Sequence, residues 1–273
     1  MRRLSFLILF AVAGSPPFAQ VRHGTIGVVY YTDDKIIVAA DSRALISVDS
    51  HSEDKECKIA TPSGKLVFVS SGASEFYKVG AQLWSNIEEI HEAYNAAWPL
   101  YSNNYDRIED TAIQWGKSIS SKWQSLLPEY SDMVINAARD GKGVLTRAII
   151  GGFDDDRKPV IGQIIVSYNE GDSTVQFDAG RITCPHSICA IGKVQIEEEF
   201  LDLTSERARN EAESWKPPKD SKPADYDIFR IMRFVELTIK YRGVDVGGAI
   251  DAVQMDKDGS VHWFANKKNC AEN

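Results

Sequence analysis

The unbroken apolar run from Ile36 to Ala40 constrains the fold more than any other segment of the chain. A strand points successive side chains to opposite faces, so a strand without a polar position needs cover on both faces. A second β-branched run, from Thr25 to Tyr31, precedes it, and the polar residues between the two runs predict a hairpin turn. The sequence therefore predicts a sheet that other layers cover on both sides.

The remaining elements come in an order that disfavours a doubly wound, nucleotide-binding sheet. In chain order we expect a strand at 66–70, a helix over 76–94 capped by Ser74, a helix over 108–126 that closes at Pro128, a meander of strands at 145–151, 160–166 and 174–177, a helical stretch over 192–212, a helix over 228–239 and a terminal hairpin over 249–264. This order does not alternate strictly between strand and helix. It favours an α+β protein built from packed layers.

Composition and charge exclude several classes of function. The 273 residues are 43% hydrophobic and 26% charged, which suits one globular domain. The net charge is −8, and no stretch concentrates Lys or Arg, so we expect no nucleic-acid partner. Histidines and cysteines lack the close pairs of a zinc site, and we expect neither a metal nor another cofactor.

The first nineteen residues have the pattern of a secretory signal peptide. A positive start at Arg2 and Arg3 precedes an apolar run, and small residues and prolines then lead to a cleavage site after Ala19. The apolar run is shorter than the ~20 residues that span a bilayer, so we expect no membrane span. We expect a secreted or periplasmic protein whose single domain covers residues 20–273.

Export allows disulfide bonds, and the chain has four cysteines. Cys184 and Cys189 could close a short loop, and Cys57 could pair with Cys270. Four cysteines allow three connectivities, and unpaired buried thiols are the alternative.

The N-terminal quarter resembles the start of the catalytic β-subunits of the proteasome. Their pattern of a Gly-Thr bond and an Ala-Ala-Asp-Ser-Arg-Ala run is matched by Gly24-Thr25 and the run from Ala39 to Ala44. Lys58 after a short strand, and the turn at Ser71-Gly72-Ala73-Ser74, are similar to further family motifs. The resemblance implies an N-terminal nucleophile hydrolase fold, which is a four-layer α/β/β/α sandwich, with residues 20–24 as a short propeptide.

The resemblance also implies a set of catalytic residues. Thr25, freed by a cut after Gly24, would be the nucleophile, and its own α-amine, with an ordinary pKa of about 7.7–8.0, would be the base. Lys58 would stabilise the developing negative charge, and Asp41 would orient Lys58. The backbone N–H of Gly72 would donate to the oxyanion. The expected function is an exported, threonine-type hydrolase of peptides or small amides that assembles as a homo-oligomer.

Departures from the family pattern keep a second interpretation open. The aspartate and serine that usually hold the threonine amine fall on Gly243 and Val246, and another expected serine falls near Gly192. A register anchored on Gly27 would put His23 at the nucleophile position. The alternative function is therefore a catalytically inactive, proteasome-like binding or assembly module.

Overall fold

The computed structural model of the chain describes residues 19–23, 26–46, 51–53, 56–78, 81–192, 199–200, 202–219, 221–242 and 246–265. The helices in these ranges are α1 (Asn86–Ala97), α2 (Asn104–Asp140), α3 (Glu206–Ser214) and α4 (Tyr226–Arg242). The strands are β1 (Ala19–His23), β2 (Ile26–Tyr31), β3 (Lys35–Asp41), β4 (Ala44–Ile46), β5 (His51–Glu53), β6 (Ile59–Ala60), β7 (Val67–Gly72), β8 (Glu75–Lys78), β9 (Ala81–Ser85), β10 (Val144–Phe153), β11 (Pro159–Asn169), β12 (Thr174–Arg181), β13 (Ile188–Gly192), β14 (Ile250–Asp256) and β15 (Val261–Ala265).

These strands form three antiparallel sheets of five strands each. The first sheet has the order β13-β2-β3-β14-β15, and the second has the order β12-β11-β10-β7-β6. The third is built from short strands in the order β5-β4-β1-β8-β9. The elements are mixed along the chain and the pairings antiparallel, so the predicted α+β class is confirmed.

Strand β3 is buried on both faces, as its sequence predicts. Ile36 and Val38 belong to an apolar cluster that joins the first sheet to the second. Ile37 and Ala39 face the opposite cluster, which joins the first sheet to α4. All four side chains are fully buried. Burying a Val or Ile side chain contributes about 1.5–3 kcal/mol, so this strand needs both neighbours to be stable.

The second sheet packs its other face against α1 and α2. Phe68 of β7 and Ile150 of β10 contribute to this cluster, together with Trp115 and Trp123 of α2. Phe68 and Trp115 meet edge to face with ring centroids 5.3 Å apart. The long helical pair thus covers the sheet that carries β7.

The helix predicted over 76–94 is wrong in its first ten residues. Residues 75–78 and 81–85 form β8 and β9, and the helix begins only at Asn86. Phe76 and Trp84 are buried on this strand pair, where the apolar spacing also fits a hairpin. The Ser85 hydroxyl, not that of Ser74, caps α1 by accepting from the backbone N–H of Glu88.

The second predicted helix does not close at Pro128. Helix α2 continues to Asp140, and the backbone at Tyr130 leaves the helical region (φ −131°, ψ 35°). A proline inside a helix removes one hydrogen bond and clashes with the preceding turn, which kinks the helix without ending it here. Side chains on both sides of the kink pack on one cluster, which keeps the two halves together.

The later elements follow the sequence more closely. The meander is confirmed as β10-β11-β12, and the terminal hairpin as β14-β15. Of the helical stretch predicted over 192–212, residues 193–198 lie outside the described residues, and α3 begins at Glu206. The signal-peptide prediction also falls outside them, up to residue 18. Among the helices that the structure describes, none combines the length and the apolar character needed to cross a membrane.

Disulfide bonds form where the sequence left the pairing open. Cys184 and Cys189 are bonded to each other and close the turn that leads into β13. Cys57 is also disulfide-bonded.

Candidate functional site

Asp41 is the centre of a buried polar cluster at the end of β3. Its side chain is fully buried, and both carboxylate oxygens accept hydrogen bonds. Oδ1 accepts from the backbone N–H of Ile26 at 2.9 Å and from Lys58 Nζ at 3.0 Å. Oδ2 accepts from the backbone N–H groups of Arg43 at 3.2 Å and Gly247 at 2.9 Å. One carboxylate thus ties together β2, the end of β3 and the segment before β14.

Lys58 lies opposite Asp41, and its side chain is equally inaccessible to water. Its ammonium group donates to Asp41 and to the backbone carbonyl of Arg43. The carbonyl of Lys58 accepts from the backbone N–H of Ser70 at 3.3 Å, which links this residue to β7. A buried ammonium and carboxylate are costly to desolvate, and hydrogen bonds on both partners offset that cost.

The ion pair is hydrogen-bonded to the residue that follows the predicted nucleophile in the sequence. Gly24 and Thr25 are outside the described residues, but Ile26 follows Thr25 and donates its backbone N–H to Asp41. The structure therefore joins Asp41 both to Lys58 and to Ile26.

Gly72 closes β7 in a conformation that requires glycine. Its φ is +86°, and a Cβ at this position would lie 2.5 Å from the carbonyl oxygen of Leu145. Gly72 stands opposite Thr146 in the β7-β10 pairing. Ser70, which binds Lys58 through the backbone, lies two residues before it on the same strand. One strand thus connects the turn at Gly72 to the buried ion pair.

Gly247 is a site residue that sequence reasoning did not single out. A Cβ there would lie 2.5 Å from Cζ of Arg43, so any other residue would require the guanidinium to move from its present position against this backbone. The Gly247 carbonyl accepts from the backbone N–H of Ser42 at 3.1 Å, and its own N–H binds Asp41. The Gly247-Gly248 pair was the sequence signal that could have identified this residue. The need for a small residue at position 247 becomes clear only from the structure, where Arg43 packs against it.

The residues expected to replace the family's amine-holding groups are only partly described. Val246 is a fully buried apolar residue at the position of the expected serine. Gly192 is exposed, with a φ of +94°. Gly243 lies outside the described residues.

Two buried polar side chains near Gly72 were also missed. Asn86 and Thr146 both donate to the backbone carbonyl of Ala73, the residue after Gly72. Neither forms a motif in the sequence, because each reaches Ala73 from a different element.

A second polar cluster joins α3 to α4. Hydrogen bonds from Lys240 and then Tyr241 lower the pKa of Glu211 to about 2, and the nearby charge of Arg233 adds to the effect. Arg233 lies 2.6 Å from the Glu211 carboxylate. Because Lys240 is 54% exposed, this cluster remains in contact with water. It holds two helices together and contains none of the residues around Asp41.

Comparison with known proteins supports the fold. No protein-family model and no curated protein matches the chain. Among solved structures, the (Gly-1) mutant of Anbu from Hyphomicrobium sp. strain MC1 superposes with a TM-score of 0.51, at 16% identity over 88% of this chain and 85% of that one. Anbu is a homologue of the proteasome β-subunits. The fold is proteasome-like.

A second structure of Anbu from the same organism matches at 15% identity over 89% of both chains, with a TM-score of 0.49. At this level of identity the comparison concerns the fold, and the chemistry depends on the residues described above.

Proposed function

We propose that this chain is a threonine-type N-terminal nucleophile hydrolase that cleaves amide bonds in peptides. Its architecture would be the four-layer α/β/β/α sandwich of that class, with the ion pair at one end of the two packed sheets. The observation that carries the proposal is the fully buried Asp41–Lys58 pair, hydrogen-bonded to the residue that follows Thr25. Groups buried at such cost and placed beside a candidate nucleophile are typical of active sites.

The proposed chemistry begins with cleavage of the Gly24-Thr25 bond by Thr25 itself: its hydroxyl attacks the Gly24 carbonyl carbon, the acyl group moves from nitrogen to oxygen, and water hydrolyses the resulting ester, which frees the α-amine. The hydroxyl of Thr25 then attacks the carbonyl carbon of the substrate, and its proton passes to the new α-amine of Thr25. The Lys58 ammonium, held by Asp41, stabilises the negative charge on the threonine oxygen as the proton leaves. The N–H of Gly72 donates to the carbonyl oxygen as it becomes an oxyanion.

The intermediate then collapses to an ester between Thr25 and the acyl part of the substrate. The leaving amine takes the proton from the α-amine, and a water molecule, activated by the same amine, hydrolyses the ester. The residues assigned to these steps require no metal or organic cofactor.

Strand β1 supports peptides over small amides as substrates. It immediately precedes Gly24 and is paired on one side with β4 and on the other with β8. The neighbourhood of the scissile bond therefore holds an extended peptide backbone through hydrogen bonds on both edges. A small amide could not use these edges.

The second candidate is an inactive binding or assembly module. Two observations favour it: Val246 is apolar where the catalytic subunits have a serine, and β1 is the central strand of the third sheet. A chain that keeps β1 attached also keeps the amine of Thr25 in a peptide bond. Such a chain has no base for the reaction.

Intact-mass spectrometry separates the two candidates. The full chain is expressed in a host that exports it, and the purified protein is weighed and treated with a peptide epoxyketone, which reacts with an N-terminal threonine. We expect a mass beginning at Thr25 and one added probe. Thr25→Ala should abolish both the cut and the labelling, whereas Thr25→Ser should retain some of each.

The exposed Thr204→Ala is the matched control and should be cut and labelled like the wild type. A wild-type mass that starts at Gln20, with no labelling, supports the export proposal and the binding module. A mass that starts at Met1 contradicts both cleavage proposals.

A further inference from the structure

The carbonyl of Ala73 receives hydrogen bonds from two buried side chains that come from distant parts of the chain. Thr146 Oγ1 on β10 donates at 2.9 Å, and Asn86 Nδ2 at the start of α1 donates at 3.2 Å. The exposed fraction is 0% for Thr146 and 1% for Asn86. Both side chains therefore act in a water-free environment, where an unmet carbonyl is costly.

The peptide group between Gly72 and Ala73 is fixed as well. The backbone N–H of Ala73 donates to the carbonyl of Leu145 at 2.9 Å, and that same carbonyl blocks any side chain at Gly72. The turn thus lies against β10 on one side and against α1 on the other. Its position depends on the Ala73 carbonyl as the common acceptor.

Asn86 is held in place for this contact by its own backbone. Its N–H donates to the carbonyl of Ser74 at 2.8 Å, and its carbonyl accepts from Trp115 Nε1 at 3.2 Å. The amide side chain also donates to Ser70 Oγ at 3.2 Å. Its amide oxygen is buried without a hydrogen-bond partner, which is a cost. What Asn86 contributes is therefore its pair of N–H donors toward β7 and the turn.

We propose that Asn86 and Thr146 are positioning residues that aim the Gly72 N–H at the reacting carbonyl group. The inference rests on the proposed hydrolase function. An oxyanion donor works only when it is held in advance at the place where charge develops, and small displacements are expensive. The Gly72 N–H lies at the last residue of β7, where the regular strand pairing stops. Side chains must therefore fix the turn that follows Gly72.

The role predicts a particular kinetic pattern. Thr146→Val keeps the shape of the side chain and removes the hydroxyl, and Asn86→Asp places an acceptor opposite the Ala73 carbonyl. We expect each to lower kcat by about tenfold or more while KM stays within about twofold, because an oxyanion donor acts on the transition state. Thr146→Ser restores the donor and should recover kcat to within about twofold.

Thr111→Val is the matched control. Thr111 is fully buried and also donates its hydroxyl to a backbone carbonyl, that of Arg107 in α2. Its loss should leave kcat and KM unchanged. A merely structural role for Thr146 would give the same small change in both variants.

The experiment combines steady-state hydrolysis of a fluorogenic peptide with amide hydrogen exchange on the full chain. Exchange at Gly72 and Ala73 should accelerate at least about tenfold in Thr146→Val and stay at the wild-type rate in Thr111→Val. Unchanged kcat, or unchanged exchange at the two residues, would overturn the inference. A wild type without hydrolase activity would remove the proposed function and the catalytic role together, and the exchange data would still decide whether the two side chains hold the turn.

Discussion

The Asp41–Lys58 and Glu89–Lys122 ion pairs each contain a buried carboxylate, and they differ in how much water reaches the ammonium group. In the Asp41–Lys58 pair both side chains are completely inaccessible. In the Glu89–Lys122 pair, which links α1 to α2, Glu89 is 4% exposed and Lys122 is 32% exposed. The second pair keeps its ammonium partly hydrated, whereas the first gives up hydration on both sides.

This difference in hydration bears on the role of each pair. The Glu89–Lys122 pair keeps its cation partly in water, so forming it loses less hydration free energy, as is usual for a contact that only joins two helices. A fully buried pair is weak evidence for stability, because apolar residues of similar size often stabilise a core as well or better. The catalytic role proposed for Asp41 and Lys58 would explain why both groups are buried at such a cost.

The largest effect should come from removing the buried ammonium. Lys58→Met leaves the Asp41 carboxylate without its cation in a water-free site, and we expect the free energy of unfolding to fall by about 3–5 kcal/mol. Epoxyketone labelling should be lost. Lys122→Met should cost less, because the Lys122 position is 32% exposed and the Ser118 hydroxyl still donates to Glu89. Urea denaturation of both variants measures the contrast, and equal costs would contradict it.

A smaller effect is expected from neutralising the carboxylates. In Asp41→Asn an NH₂ group would face the N–H donors of Arg43 and Gly247, or else Lys58 and Ile26, so we expect a loss of about 2–3 kcal/mol. Glu89→Gln keeps an oxygen that can accept from Lys122 and should cost about 1 kcal/mol or less. Thermal unfolding compares the two. Similar melting temperatures for both variants would show that the backbone N–H donors around Asp41 do not contribute to stability.

The smallest effect concerns the hydrated cluster at Glu211, whose pKa is lowered to about 2 from its ordinary value of 4.5. A lowered carboxyl pKa stabilises the folded state fully above about pH 4.5, and this contribution is lost as the pH falls toward 2. Amide protection in α3, which is the exchange rate corrected for the intrinsic rate at each pH, should therefore fall over that range. In Glu211→Gln this protection should be lower at neutral pH and should change less between pH 4.5 and pH 2. A wild-type profile in that variant would contradict the assignment.

How much of the site could be predicted depended on the sequence distance between its parts. Asp41, Lys58 and Gly72 lie in short motifs at the ends of strands, so a resemblance over the first quarter of the chain was enough to select them. Asn86 and Thr146 meet Ala73 from 13 and 73 residues away along the chain. Neither stands in a local pattern, and the packing of β10 and α1 creates their role.

The fold was predictable where one periodicity dominated. The apolar run in β3 has no polar position, so it predicts a strand that is covered on both faces. Between Phe76 and Trp84 the apolar residues fit a helix and a hairpin equally well, and strand pairing decided the outcome. At Pro128 the rule that proline ends a helix predicted a boundary. The helix continues instead, because residues on both sides of the kink pack on the same apolar cluster.

The position of strand β1 affects whether the cleaved protein could refold. If the bond after Gly24 is cut, the strand that pairs with both β4 and β8 becomes a separate peptide with no covalent link to the rest of the domain. Once that peptide diffuses away, the remaining chain no longer contains the template on which its third sheet formed. The mature protein would then be unable to regain its structure after unfolding, and its lifetime would be set by the rate of its first unfolding event.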